Sequence, residues 1–149
     1  MNDDFVTVIY FWKIKKSKVG FALLRMALDR GALRRFKGVR FAKMLGAGKG
    51  ETFTPRDADI TRWGALAVIE SSRLTALDDS KLVKRWRQNS DAEVRYLVNP
   101  ISSHGLWAKV NPFDYAKSAG EGEVIAITRA RIKWAQNVRF WKAVPPVTS

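Results

Sequence analysis

The chain has no cysteine and a single histidine, His104, among its 149 residues. The absence of cysteine excludes disulfide bridges, thiolate metal sites and a cysteine nucleophile. A Ser-His-Asp arrangement would have to use His104, and no nucleophile-elbow motif accompanies it. The sequence also shows no cluster of histidines and carboxylates of the kind that holds a metal ion.

Long apolar runs are also missing. The longest, at residues 63–69, has the length of a strand and is far too short to span a membrane. The first four residues, Met-Asn-Asp-Asp, are acidic and do not have the pattern of a secretory signal. A cytoplasmic location is therefore the expectation.

Acidic residues are scarce relative to basic ones. There are 14 Asp and Glu against 27 Lys and Arg, which gives a net charge of +13. Residues 13–43 carry eleven cations and one anion, Asp29. Such a surface attracts anionic lipid or nucleic acid. A nucleic-acid partner is the less favoured of the two, because residues 5–12 lack the glycine-aromatic pattern of RNA-binding strands.

Glycines alternate in one stretch, residues 41–56, at Gly46, Gly48 and Gly50. The spacing fits neither a phosphate-binding P-loop nor a dinucleotide fingerprint. The pattern predicts a loop between two strands, where glycines allow close approach of a ligand. A flexible connection without a ligand is the other interpretation, and spacing alone favours it.

The order of predicted elements up to residue 100 indicates an α+β, ferredoxin-like unit of four antiparallel strands and two helices. The strands are predicted at 5–14, 39–45, 63–69 and 93–98, and the helices at 20–36 and 80–89. Phe21, Leu24 and Leu28 define the apolar side of the first helix, which is basic elsewhere and interrupted at Gly31. Its basic face is interpreted either as a solvated surface or as a docking site for an anionic membrane. Asp78 and Asp79 are predicted to cap the second helix.

Beyond residue 100 the pattern starts again. We expect an aromatic connecting loop over 101–122, then a strand at 123–132 and a helix at 134–144. The chain is thus divided into a ferredoxin-like unit (1–100), the loop (101–122), and the first strand and helix of an incomplete second unit (123–149). An incomplete sheet has an exposed edge, which predicts either a homodimer or instability of the isolated chain.

Several blocks resemble the spheroidene monooxygenase family. They are the glycine-rich block at 31–55, Ser-His-Gly-Leu-Trp at 103–107, Asn-Pro-Phe at 111–113, and residues 127–132 and 140–146. The resemblance implies oxygenation of acyclic carotenoids with O₂, a haem cofactor, an external electron donor, and two ferredoxin-like units closed into an α+β barrel. Family members continue past Pro145-Pro146, so this sequence is expected to represent mainly the first half.

The resemblance also implies site residues. His104 is the candidate axial ligand of the haem iron, although a structural role for this side chain is an alternative. Arg56, Arg129 and Lys43 are candidates for pairing with the haem propionates. A carotenoid pocket is expected at Trp12, Phe53, Trp107 and the three glycines 46, 48 and 50. No catalytic residue is assigned. A basic module that binds an anionic membrane surface or nucleic acid without catalysis is the alternative function.

Overall fold

The structure, a computed structural model, describes residues 4–48, 58–114 and 122–127. Four strands and three helices are formed: β1 (Phe5–Ile14), α1 (Val19–Arg34), β2 (Val39–Gly48), β3 (Ala58–Glu70), α2 (Leu74–Asp78), α3 (Lys81–Gln88) and β4 (Ser90–Val98). The strands make one antiparallel sheet in the order β2-β3-β1-β4. The predicted α+β, ferredoxin-like fold is confirmed for this part of the chain.

The two central strands are the most apolar. β1 reads Phe-Val-Thr-Val-Ile-Tyr-Phe-Trp-Lys-Ile, and its bounds match the prediction. Side chains on both faces of β1 are buried over residues 7–10, because helices cover one face, and strand side chains with Trp107 and Phe113 pack on the other. Continuous apolar character is typical of strands covered on both faces.

One face of the sheet packs against the helices. Tyr10, Trp12 and Trp86 stack there, with ring centroids 5.4 Å apart for the first pair and 5.2 Å for the second. The indole Nε1 of Trp12 donates to Glu93 at 2.7 Å. Helical side chains such as Leu33 and Val83 complete this core. The aromatic stack therefore fixes α3 on the sheet.

The side of α1 predicted to face the core is wrong for Leu24 and Leu28, although Phe21 does pack against the core. Leu24 and Leu28 are 60% and 53% exposed, whereas Ala22, Asp29 and Leu33 face the core. Apolar residues occur at helical spacing on both sides of this helix, so periodicity alone could not choose between them. The predicted interruption at Gly31 does not occur either, because the helix continues to Arg34.

The glycine-rich stretch is not a loop up to Gly48. Gly46 and Gly48 belong to β2 and pair with β3 opposite Trp63 and Ala58. The register shifts after Gly46, where residues 60–62 of β3 bulge out of the pairing. β3 accordingly begins at Ala58, five residues earlier than predicted.

The second helical segment has two parts, α2 and α3, and the first was not predicted. Ser80 caps α3, since its hydroxyl accepts from the Val83 amide at 3.2 Å. Asp78 bonds elsewhere, to Tyr10 and Arg95. Capping by Asp78 and Asp79 is therefore incorrect, although α3 itself is confirmed.

Residues 101–114 form an irregular segment that returns to the sheet. Residues 122–127 are exposed and belong to no strand, so the described portion of the strand predicted at 123–132 is not formed. The rest of that strand and the helix predicted at 134–144 lie outside the described residues. Where the structure describes the chain, no helix combines the length and apolar character needed to cross a membrane.

Candidate functional site: the open face of the sheet

The sheet face opposite the helices is the candidate site, and we call it the open face. Its floor is Ile9, Leu66 and Val68, all buried. The described hydrophobic side chains that pack against this floor come from strands and from the segment after β4, and none of them is helical: Phe5, Phe41, Leu45, Val98, Trp107 and Phe113. The open face is thus apolar and aromatic without being covered by a helix.

Strand pairing arranges the open face in rows. The middle row runs Lys43, Leu66, Ile9 and Tyr96 across the four strands. At about 4.8 Å per strand, its two polar ends lie about 14 Å apart. An apolar surface with a cation at one end and a phenol at the other can hold a long apolar molecule and orient polar groups on it.

The row on one side of the middle row ends under Trp107. The Trp107 ring meets Phe41 edge to face, with centroids 5.4 Å apart. Arg40 forms an ion pair with Asp114 and lies over the Phe5 ring, 5.4 Å from its centroid. These contacts hold the segment 101–114 against β2, so Trp107 borders the open face.

A tight turn presents Trp107. Its amide donates to the Val110 carbonyl at 2.7 Å, and the Val110 amide donates back at 3.3 Å. The two residues between them, Ala108 and Lys109, have φ of 55° and 69°. Asn and Gly normally fill such positions, since other residues are strained there by about 1–2 kcal/mol each. Backbone strain of this kind often accompanies a functional site.

Lys43 is half-buried on the open face, and its ammonium lies 5.6 Å from the centroid of the Phe41 ring. Phe41 therefore links two residues that the sequence analysis selected, Lys43 and Trp107. Phe41 itself was not among the predicted site residues. Its alternation with Lys43 and Leu45 along β2 was the available signal, because alternate residues of a strand share a face.

The row on the other side of the middle row is more exposed. Phe11 and Val94 of this row are 43% and 47% exposed. The Phe11 ring meets Tyr96 of the middle row edge to face, with centroids 6.3 Å apart. The Phe11 ring lies across Gly64, where a Cβ would come 3.1 Å from the ring and 2.7 Å from the Tyr10 carbonyl oxygen. Gly64 thus allows the aromatic surface to continue over a central strand.

The structure separates the remaining predicted residues. Trp12 is 1% exposed and belongs to the aromatic stack under the helices, so it lies on the opposite side of the sheet from Trp107. His104 is exposed in the segment that carries Trp107, and its Nε2 is 3.3 Å from the Ser102 hydroxyl. Gly46 and Gly48 are exposed in β2. The other four candidates lie outside the described residues: Gly50, Phe53, Arg56 and Arg129.

A buried polar group lies on the helix-covered side. The Tyr10 hydroxyl donates to Asp78 at 2.6 Å, and Arg95 binds the same carboxylate through two nitrogens at 2.8 and 2.9 Å. Burial first, and then Asp78, raises the pKa of Tyr10 far above its usual range. Tyr10 therefore stays protonated, and its contacts indicate a structural role.

The described residues contain no group of three or more His, Asp or Glu side chains placed to hold a metal ion. They are nevertheless compatible with a haem. The imidazole of His104 is accessible, and its one described contact is the long one to Ser102. Lys43 offers a cation beside apolar and aromatic side chains, which suits a propionate on an apolar macrocycle.

Sequence comparison finds curated relatives named spheroidene monooxygenase. The Rhodobacter capsulatus protein is 31% identical over 137 residues, which cover 89% of this chain and 56% of that protein. The Cereibacter sphaeroides protein is 30% identical over 131 residues, covering 86% and 40%. The chain thus spans about half the length of the curated relatives it matches. No family model matches the sequence. The predicted resemblance to the spheroidene monooxygenase family is confirmed.

Structure comparison shows the fold. An antibiotic biosynthesis monooxygenase superposes with a TM-score of 0.50 at 11% identity, over 65% of this chain and 99% of its own. A Nitrosomonas europaea chain, provisionally given the same name, superposes with a TM-score of 0.51 at 12% identity, over 68% of this chain and 95% of its own. At such low identity these similarities establish the ferredoxin-like α+β architecture alone.

Proposed function

We propose, from the similarity to spheroidene monooxygenases, that this chain forms part of a haem- and O₂-dependent oxygenase that acts on a carotenoid. The observation that supports the proposal most is the open face. It is an apolar and aromatic surface with the cation of Lys43 at its edge. A carotenoid is a long hydrocarbon, and burial of its surface is the main contribution such a face can make to binding.

The aromatic side chains of the open face would hold the substrate. Trp107, Phe41 and Phe11 present ring faces and edges along the sheet. Tyr96, at the far end of the middle row, would donate to an oxygen on the substrate. Such contacts would place one carbon of the chain reproducibly and exclude water from it.

The reaction would break a C–H bond and insert one atom of O₂, while the other atom leaves as water. Two electrons from an external donor and two protons complete this balance. A second such round on the same carbon would give a geminal diol, which loses water to leave a keto group. Haem, when bound, would supply the activation of O₂. His104 would bind its iron and Lys43 would pair with a propionate, with Arg56 and Arg129 as further candidates for the propionates.

Two experiments test the proposal. In the first, the purified chain is titrated with haem and the Soret absorbance is followed for the native chain and for His104→Ala. We expect saturation in the native chain and an altered band in the variant. An unchanged spectrum and affinity would remove His104 from the haem site.

In the second experiment, the haem-loaded chain receives spheroidene, O₂ and a chemical reductant, and products are separated by mass. We expect a product in which a keto oxygen replaces two hydrogens. Haem binding together with no product, even when the remaining half of a curated relative is supplied, would refute the oxygenase assignment. The alternative function, a non-catalytic basic module, gains support from helix α1.

A further inference from the structure

Helix α1 turns an apolar face toward solvent. Leu23, Leu24 and Leu28 are 53%, 60% and 53% exposed. At 100° per residue, these leucines and Ala27 span about 140° of the helix circumference, opposite the side that faces the core. Arg30 and Arg34 are also exposed and lie on either side of the Leu23 edge of this face, further along the helix. The helix therefore combines an outward apolar stripe with cations at its border.

Among the described residues, no anion compensates the cations around this face. Asp29 is the only acidic residue between positions 13 and 43, and it is 1% exposed. Its carboxylate accepts from Trp86 at 2.9 Å and from Arg25, so its charge is used inside the protein. In the described part of the chain, neither Arg30 nor Arg34 has a carboxylate within ion-pair distance. The outward surface of α1 thus carries positive charge alone.

We propose that α1 docks on an anionic lipid bilayer. The leucines would enter the boundary between headgroups and acyl chains, and the arginines would pair with lipid phosphates. Lys16 and Lys18, exposed in the turn before the helix, would extend this contact. An amphipathic helix with cations beside its apolar face is the arrangement that peripheral membrane proteins use. The proposal stands on α1 and does not depend on carotenoid oxygenation.

Two other occupants fit this face less well. A second copy of the chain in a two-fold contact would place the same arginines against each other, which opposes association. A nucleic acid would meet the cations but offers no apolar surface for the three leucines. An anionic bilayer satisfies both features of the face.

Vesicle co-sedimentation tests the proposal. The purified chain is mixed with vesicles of phosphatidylcholine alone or of phosphatidylcholine with phosphatidylglycerol. We expect binding to the anionic vesicles that weakens as salt is added. The double variant Leu24→Ser/Leu28→Ser should bind about ten-fold more weakly because apolar burial is lost. Arg30→Gln/Arg34→Gln should bind anionic vesicles about twenty-fold more weakly, since each surface cation raises the affinity about five-fold.

Matched controls use residues on other elements. Ile60→Ser changes an apolar residue of β3 that is as exposed as Leu28, at 53%, and Lys81→Gln removes an exposed cation of α3. Ile60→Ser should bind anionic vesicles like the native chain, and the affinity of Lys81→Gln should lie within about five-fold of the native value. Undiminished binding by either α1 double variant, or equal binding to neutral vesicles, would overturn the proposal. So would a changed mass of Leu24→Ser/Leu28→Ser, because the leucines would then be packed against another copy of the chain.

Discussion

Replacing Asp29 should destabilise the protein more than replacing any exposed carboxylate. Asp29 lies at the interface of α1 and α3 and is the acceptor for Trp86 and Arg25, with Arg85 at 3.5 Å. In Asp29→Ala the buried indole N–H of Trp86 loses its partner, and two guanidinium groups lose their counter-ion. Breaking a buried charged pair costs about 3–5 kcal/mol.

The magnitude should fall near the lower end of that range. The side chains of Arg25 and Arg85 are 22% and 33% exposed, so water can solvate them once the carboxylate is gone. We therefore expect Asp29→Ala to lower the free energy of unfolding by about 3 kcal/mol. Asp29→Asn keeps an acceptor for Trp86 and loses the charge, which predicts a smaller loss of about 1–2 kcal/mol.

Urea denaturation followed by tryptophan fluorescence and circular dichroism measures these differences. Asp79→Ala is the matched control, because the Asp79 side chain is 66% exposed and meets Lys84 at 3.4 Å. It should change the stability by less than about 1 kcal/mol. If Asp29→Ala were no more destabilising than Asp79→Ala, the assignment of Asp29 as a buried link between two helices would be refuted.

Three further predictions concern the sheet. Gly64→Ala should lower the free energy of unfolding by about 1–3 kcal/mol, because its Cβ would overlap the Tyr10 carbonyl. Gly20→Ala is the control and should cause no such loss, since the space around Gly20 is open. Equal stability of the two variants would contradict this prediction. Since the pKa of Tyr10 is raised in the folded state, stability should be complete below the unfolded pKa of about 10 and fall as pH rises above it. Tyr10→Phe should flatten that fall in pH-dependent melting, and an identical profile would argue against the Asp78 contact. The exposed β4 edge predicts a dimer by light scattering that Leu97→Lys disrupts, and a native monomer at the same concentration would exclude it.

Local sequence patterns predicted the elements better than their orientation. β1 was predicted with its observed bounds because nearly all its residues are β-branched or aromatic. The exposed side of α1 was mispredicted because Leu24 and Leu28 recur with the helical period, as do the core residues Ala22 and Leu33. Which side of such a helix faces the sheet is decided by partners distant in sequence, such as Trp86.

The candidate site could be predicted only in part. Lys43 and Trp107 meet through Phe41, and their proximity depends on the turn at Ala108 and Lys109, which no local rule indicates. Trp12 has the same residue type as Trp107 and lies in the apolar strand β1, yet strand alternation places it under the helices. Gly46 and Gly48 were predicted in a loop, but pairing with β3 extends β2 to Gly48. This is a long-range effect that composition alone does not reveal.

Binding of a carotenoid to the open face is the most direct test of the account. Spheroidene in detergent micelles is titrated into the native chain and two variants of neighbouring residues, and binding is followed by the carotenoid absorbance. Trp107→Ala removes the ring that packs on Phe41, while Leu106→Ala alters a side chain that is 66% exposed. We expect saturable binding of spheroidene by the native chain. Trp107→Ala should weaken this binding about ten-fold or more, and Leu106→Ala should leave it nearly unchanged. Equal binding by all three proteins would contradict the assignment of the open face as the substrate surface.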